Sequence, residues 1–286
     1  MVLDEAVRKI FPFQNRFFEV GNGCRLHYID EGQGPTVLLL HSCPFWIVEF
    51  RQLINELRKD HRVVAIDQMG FGLSDKPRNF DYRIETHADH LERFIHELGL
   101  PRMTLLFHGR GAAIAMAVAV RHPDIVNGIV ALNSMAFSDY QLPLRLQMCR
   151  LKGLGAKIIM NLNIFQRDIN RLPREIRDAY LYPFLKKSNQ HPVIRFIEDI
   201  PCAPEEPSAQ TMFEIEAALW LLRDKPACII WGMKDWLYKI KCFRKWVGYF
   251  PHSEQHILEK AGRCITEDAA DEIVSIVSNF LKKNGI

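Results

Sequence analysis

Short, continuous apolar runs recur along the chain, and between them apolar residues return at helical spacing. Thr36 to His41, Arg62 to Asp67, Met103 to His108, Val126 to Asn133 and Ala227 to Gly232 are rich in Val, Ile, Leu and Ala, and Arg25 to Asp30 reads with them as a strand. Runs this short and this uniformly apolar suit strands covered on both faces. In Glu85 to Leu98, the residues Leu91, Phe94, Ile95 and Leu98 fall on one helical face, and Gly99 follows as a stop signal. Gly111 to Arg121 is apolar all round, which predicts a buried helix. Glu267 to Lys282 carries an apolar stripe of Ile273, Ile276, Val277, Phe280 and Leu281. Alternation of strand and helix predicts an α/β fold, with a mostly parallel sheet and helices on both faces.

The alternation stops between Ser134 and Asp224. This stretch has several prolines and no clear strand, and Pro143 to Arg150 and Arg174 to Phe184 read as helices. It is therefore expected to be a helical insertion, with 1–134 and 225–286 as the core and 135–224 as the cap. Its arginines, among them Arg145, Arg150, Arg167, Arg171, Arg174 and Arg177, read as a solvated helical surface.

The totals narrow the function. A net charge of +3 with no block of like charge argues against nucleic acid as a partner. No window approaches the eighteen or so apolar residues of a membrane span, and MVLDEAVRKIFPF lacks the apolar run of a secretory signal. The seven cysteines show no CxxC spacing, so neither a disulfide framework nor a zinc motif is suggested. These features fit a reducing, cytoplasmic location, with no cofactor and no metal expected.

Three motifs carry chemistry. His41-Ser42-Cys43-Pro44-Phe45-Trp46 follows a strand, Asp67-Gln68-Met69-Gly70-Phe71-Gly72-Leu73-Ser74-Asp75-Lys76-Pro77 forms a glycine-rich turn, and Trp231-Gly232-Met233-Lys234-Asp235 leaves a strand for an acid. Near the end comes Gly262-Arg263-Cys264-Ile265-Thr266-Glu267-Asp268. In this order they resemble the H-G-N-P-x-W, D-x-x-G-x-G-x-S-D-K-P, W-G-x-x-D and G-H-Y-V-x-E-D segments of the α/β-hydrolase superfamily. The branch they resemble holds the haloalkane dehalogenases and the β-lactone decarboxylase of bacterial olefin synthesis. The resemblance implies an eight-stranded α/β-hydrolase fold with an inserted helical cap.

It also implies which positions are altered. The nucleophile of such proteins stands at a tight strand-to-helix turn and forms an ester intermediate. By resemblance that place falls on Gly109, within His108-Gly109-Arg110-Gly111, and Gly109 has no attacking group. The base position falls on Arg263, whose guanidinium stays protonated and cannot accept a proton. The acid position falls on Asp235, which is retained, and Arg263 is expected to pair with it. Cys43 and Arg110 stand where a dehalogenase has its halide-binding asparagine and tryptophan, and Ser42 replaces the loop glycine. The pocket and oxyanion loop are expected to comprise His41, Ser42, Cys43, Trp46, His108 and Arg110, with His41 orienting the loop.

Two functional readings follow. One is a non-hydrolytic pseudoenzyme that binds a small molecule or a partner protein. The alternative is an enzyme of altered chemistry. It would be a hydrolase with a rewired nucleophile (Cys43, Ser42 or Cys264), or a lyase or cyclase whose anionic acyl substrate is held by Arg110 and Arg263.

Overall fold

The computed structural model describes residues 3–138, 142–151 and 166–286. Its centre is an eight-stranded sheet in the order β1-β2-β4-β3-β5-β6-β7-β8. The strands are β1 Arg16–Gly21, β2 Cys24–Glu31, β3 Thr36–Leu40, β4 Arg62–Ile66, β5 Met103–Gly109, β6 Val126–Ser134, β7 Ala227–Gly232 and β8 Glu254–Leu258. Only the β1–β2 and β2–β4 pairs are antiparallel, and the rest are parallel.

The central strands are apolar on both faces because both faces are covered. Every residue of β3, β5 and β7 is buried. One core takes Leu38, Leu40, Leu105 and Phe107 from one face, against helices Ile84–Glu97 and Gly111–Arg121. The other takes Val37, Leu39, Leu106 and Ile230 from the opposite face, against helices Arg51–Leu57 and Ala270–Asn284. The all-round apolar helix Gly111–Arg121 lies between the sheet and helix Ala209–Ala218, so it is apolar on every side that meets protein. The helix expected over Glu267 to Lys282 is broken at Ala269 into Ile265–Asp268 and Ala270–Asn284.

Between β6 and β7 the described residues form helices Leu144–Cys149, Gln166–Ile169, Arg174–Leu181, His191–Glu198 and Ala209–Ala218, with short 3-10 turns. Residues 139–141 and 152–165 of the expected insertion, and the Arg145 side chain, lie outside the described residues. Parallel order brings the loops after β3, β5, β7 and β8 to one end of the sheet, where open α/β sheets place their sites.

Candidate functional site

Four segments meet at that end: His41 to Pro44 after β3, Gly109 and Arg110 after β5, Asp235 after β7, and Arg263 after β8. Gly109 is the last residue of β5 and has φ +58, and Arg110 leads directly into helix Gly111–Arg121. Glycine takes this left-handed backbone without a Cβ penalty. A Cβ built on Gly109 would lie 2.1 Å from Ser42 Oγ and 2.7 Å from Ser42 Cβ. The serine side chain therefore occupies the space directly over Gly109.

The loop after β3 is held from below. His41 Nε2 accepts from the Gln68 amide at 3.0 Å, which leaves Nδ1 to donate to the Ser42 carbonyl at 3.0 Å. The Ser42 amide donates to Glu49 Oε1 at 2.7 Å, and the other oxygen of Glu49 meets His108 Nδ1 at 2.8 Å. Glu49 and His108 are fully enclosed, and their mutual bond offsets the cost of burying a carboxylate. Sequence reading missed Glu49. Its signal is a lone acid in the otherwise apolar run Phe45 to Phe50. Trp46 is buried in the core that also holds Leu39 and Leu106, where its Nε1 donates to the Ala179 carbonyl at 3.1 Å and anchors helix Arg174–Leu181.

Asp235 is fully committed to backbone and amide donors. Its Oδ1 accepts from the amides of Leu237 at 2.7 Å and Tyr238 at 3.1 Å, and its Oδ2 accepts from Asn133 Nδ2 at 3.0 Å. The expected Arg263–Asp235 pair does not form. Arg263 instead donates to Ser42 Oγ at 3.2 Å and to the Cys43 carbonyl, and its ion pair is with Asp168 at 3.6 Å. The reason is geometric: Asp235 is tied down by its own turn, while Asp168 comes over from the insertion. The rings of Phe45, Tyr238 and Trp236 surround the Arg263 guanidinium at 5.5 to 5.9 Å. Burial works against its charge, but Tyr238, Asp235 and Asp168 outweigh burial and raise its pKa above the ordinary arginine value.

Arg110 goes elsewhere. It donates to the Asp199 carboxylate at 2.7 Å, to the Asp199 carbonyl at 3.0 Å and to the Phe196 carbonyl, and it lies over the Phe196 ring. Arg110 does not line the cavity that opens beside Arg263, so the two guanidiniums do not form the expected anion hook there.

Burial pushes the Cys43 thiol up to about 12, with Arg263 and Arg110 pulling weakly the other way. The Cys264 thiol is also raised, again chiefly by burial. Neither is poised as a thiolate at neutral pH. A cavity of about 340 Å³ opens beside Arg263, and its lining includes Arg167, Arg171, Lys234, Lys260 and Arg263, with Asp168 and Asp268 as its carboxylates. A larger open groove of about 650 Å³ lies between helices Ile84–Glu97 and Gly111–Arg121, and none of the expected site residues lines it.

Residues 35–270 match the sequence model of the alpha/beta hydrolase fold. The chain belongs to the α/β-hydrolase fold family. Within this family it is 34% identical to a cis-3-alkyl-4-alkyloxetan-2-one decarboxylase of Shewanella oneidensis, over 95% of this chain and 89% of that protein. It is 32% identical to haloalkane dehalogenase 2 of Mycobacterium tuberculosis, over 94% of this chain and 95% of that one. The haloalkane dehalogenase DbeA of Bradyrhizobium elkani superposes with a TM-score of 0.85 at 24% identity, covering 96% of this chain and 99% of that one, which speaks for the fold alone. Among the described residues, no helix is long and apolar enough to cross a membrane.

Proposed function

We propose that this α/β-hydrolase acts without the covalent step of its relatives, as a non-hydrolytic protein that binds a small molecule or a partner. In this reading 1–134 and 225–286 form the core and 135–224 the cap, rooted on the core through helix Ala209–Ala218. Gly109 holds the nucleophile position, Arg263 the base position and Asp235 the retained acid position.

One observation carries the reading. The volume an attacking side chain would need over Gly109 is filled by Ser42, and Arg263 lies against the Ser42 hydroxyl. Arg263 keeps its proton, so it cannot activate water or the serine as a base in its place would. The purified protein should therefore turn over no p-nitrophenyl ester, epoxide, haloalkane or cis-3,4-dialkyl oxetan-2-one. Steady turnover of any of these near the common enzyme rate of ~10 per second would overturn the proposal.

The basic cavity favours a second reading in which the ligand is an anionic acyl compound. Five cationic side chains face two carboxylates there, and guanidinium is shaped to take a carboxylate bidentately. Arg263, Lys234 and Lys260 replace Arg110 as the groups that would hold it. Calorimetric titration with a medium-chain carboxylate tests this. Saturable binding that is lost in Lys260→Ala and Arg263→Leu supports an anionic ligand. Binding that is equal in all three proteins counts against it.

A further inference from the structure

At the far end of the sheet from Asp235 and Arg263, parallel register places three unlike donors side by side. Cys228 is the second residue of β7 and sits opposite Glu254, the first of β8, while His256 sits opposite Ile230. Residues two apart on a strand share a face, so Glu254 and His256 point the same way, and Cys228 joins them from the neighbouring strand. One donor atom from each of the three lies within 4.8 Å of the others. We propose that Cys228, Glu254 and His256 form a binding site for a divalent cation of the zinc class.

Three features of the cluster point to a cation. First, the donor set is a thiol, an imidazole and a carboxylate, which suits zinc, whereas magnesium and calcium take oxygen donors. Second, His256 Nε2 is buried and has no hydrogen-bond partner, and it lies 3.9 Å from Glu254 Oε2. Buried polar atoms of this kind normally have a partner. Third, the other carboxylate oxygen, Glu254 Oε1, accepts from Lys283 Nζ at 2.6 Å. This bond fixes the carboxylate as an outer partner does at metal sites, and it leaves Oε2 on the side of the imidazole.

The distances are within reach of coordination. Zinc bonds of about 2.0–2.1 Å to nitrogen and oxygen and about 2.3 Å to sulfur put tetrahedral donors roughly 3.3–3.6 Å apart. The Glu254–His256 pair stands at 3.9 Å and all three donors lie within 4.8 Å of one another, so side-chain rotation has to close at most about 1.5 Å. Burial, and after it Glu254, push the free Cys228 thiol up to about 12. On binding, the cation displaces the thiol proton to solvent and a sulfur–metal bond forms. A thiolate, a carboxylate and a neutral imidazole then balance the two positive charges. A water molecule completes the fourth position. The cation would pin the edge strand β8 to β7. The site is independent of the loops around Gly109, so its loss leaves the proposal for those loops untouched.

Cobalt(II) replaces zinc in the test because it reports on its ligands by colour. The full chain is stripped with a chelator, kept reduced and titrated with cobalt(II). The expected result is saturable binding of one ion per chain, with a thiolate-to-cobalt charge-transfer band that zinc bleaches. Cys228→Ser should lose the band. Loss of even an outer partner costs about 10–100-fold in metal affinity, so His256→Ala, a change at a part-exposed ring, should cost at least that. Zinc should also raise the melting temperature of the parent and leave that of His256→Ala unmoved. Absence of a charge-transfer band in the parent would overturn the proposal. So would a band that survives Cys228→Ser, or a zinc stabilisation equal in the parent and His256→Ala.

Discussion

Two buried arginines belong to the segments that meet at Gly109, and they are held in different ways. Arg110 is clamped to the C-terminal end of helix His191–Glu198 by one carboxylate and two carbonyls, and a ring lies under it. Arg263 donates to one hydroxyl and one carbonyl of the loop after β3, meets the Asp168 carboxylate at 3.6 Å, and has aromatic rings around it. The Asp199 side chain is almost fully enclosed with Arg110, whereas that of Asp168 is 14% exposed. Arg110 thus ties the insertion to the core, and Arg263 lines an opening. The same residue type serves as a fastener in one place and as a cavity wall in the other, and the difference lies in how enclosed its carboxylate partner is.

The largest expected effect tests the fastener. Arg110→Leu leaves the enclosed Asp199 carboxylate with hydrogen bonds from Ser208 and the Ile84 amide but without its cation, and should cost about 3–5 kcal/mol, read as a shift in the urea midpoint. Gly109→Ala comes next, with about 1–3 kcal/mol from forcing a side chain into the positive-φ turn and a further loss from crowding Ser42. Adding Ser42→Gly should recover the crowding part and leave the strain, so a double variant no more stable than Gly109→Ala would break the packing account. Arg263→Leu should cost less than Arg110→Leu, about 1–3 kcal/mol, because water can reach Asp168. Equal costs would erase the contrast between the two arginines.

The smallest effect concerns the thiol that both arginines approach. At a pKa of about 12, only about one Cys43 in 10⁵ is a thiolate at pH 7. Iodoacetamide should label exposed Cys202 long before Cys43, as peptide mass spectrometry would record. The folded chain keeps this proton to higher pH than the unfolded chain does. The contribution is therefore complete below the ordinary thiol value of 9.0 and is lost as pH climbs from there towards about 12. Labelling of Cys43 as fast as Cys202 at pH 7 would show that the arginines dominate over burial.

The legible part of the fold is the part buried on both faces. β3, β4, β5, β6 and β7 announce themselves as apolar runs because helices cover them on either side. β1 and β8 are the edge strands and give no such run. Their burial alternates or is partial, and Glu254-Gln255-His256 carries almost no apolar signal. At the site, the loop positions of His41, Gly109, Asp235 and Arg263 follow from motifs whose spacing is set by strand ends. The partners do not. Arg263 meets Asp168 from 95 residues earlier, and Arg110 meets Asp199 from 89 residues later, through a segment with no strand among its described residues to fix its place. Glu49 was hidden because a buried acid is intelligible only once its partners, the Ser42 amide and His108, are seen.

The exchange of bulk between Ser42 and Gly109 gives mutational history a direction. With serine at 42 the site is full, so any side chain arriving at 109 meets an atom at 2.1 Å before it can do chemistry. With glycine at 42, position 109 can grow. A route back to a covalent catalyst must therefore clear position 42 first. That first change adds no activity and gives up the hydrogen bond between Ser42 and Arg263, so selection for activity has nothing to retain at the one step that opens the way. Laboratory evolution started from this chain should stall when the two positions are varied one at a time, and should advance only from libraries that vary them together.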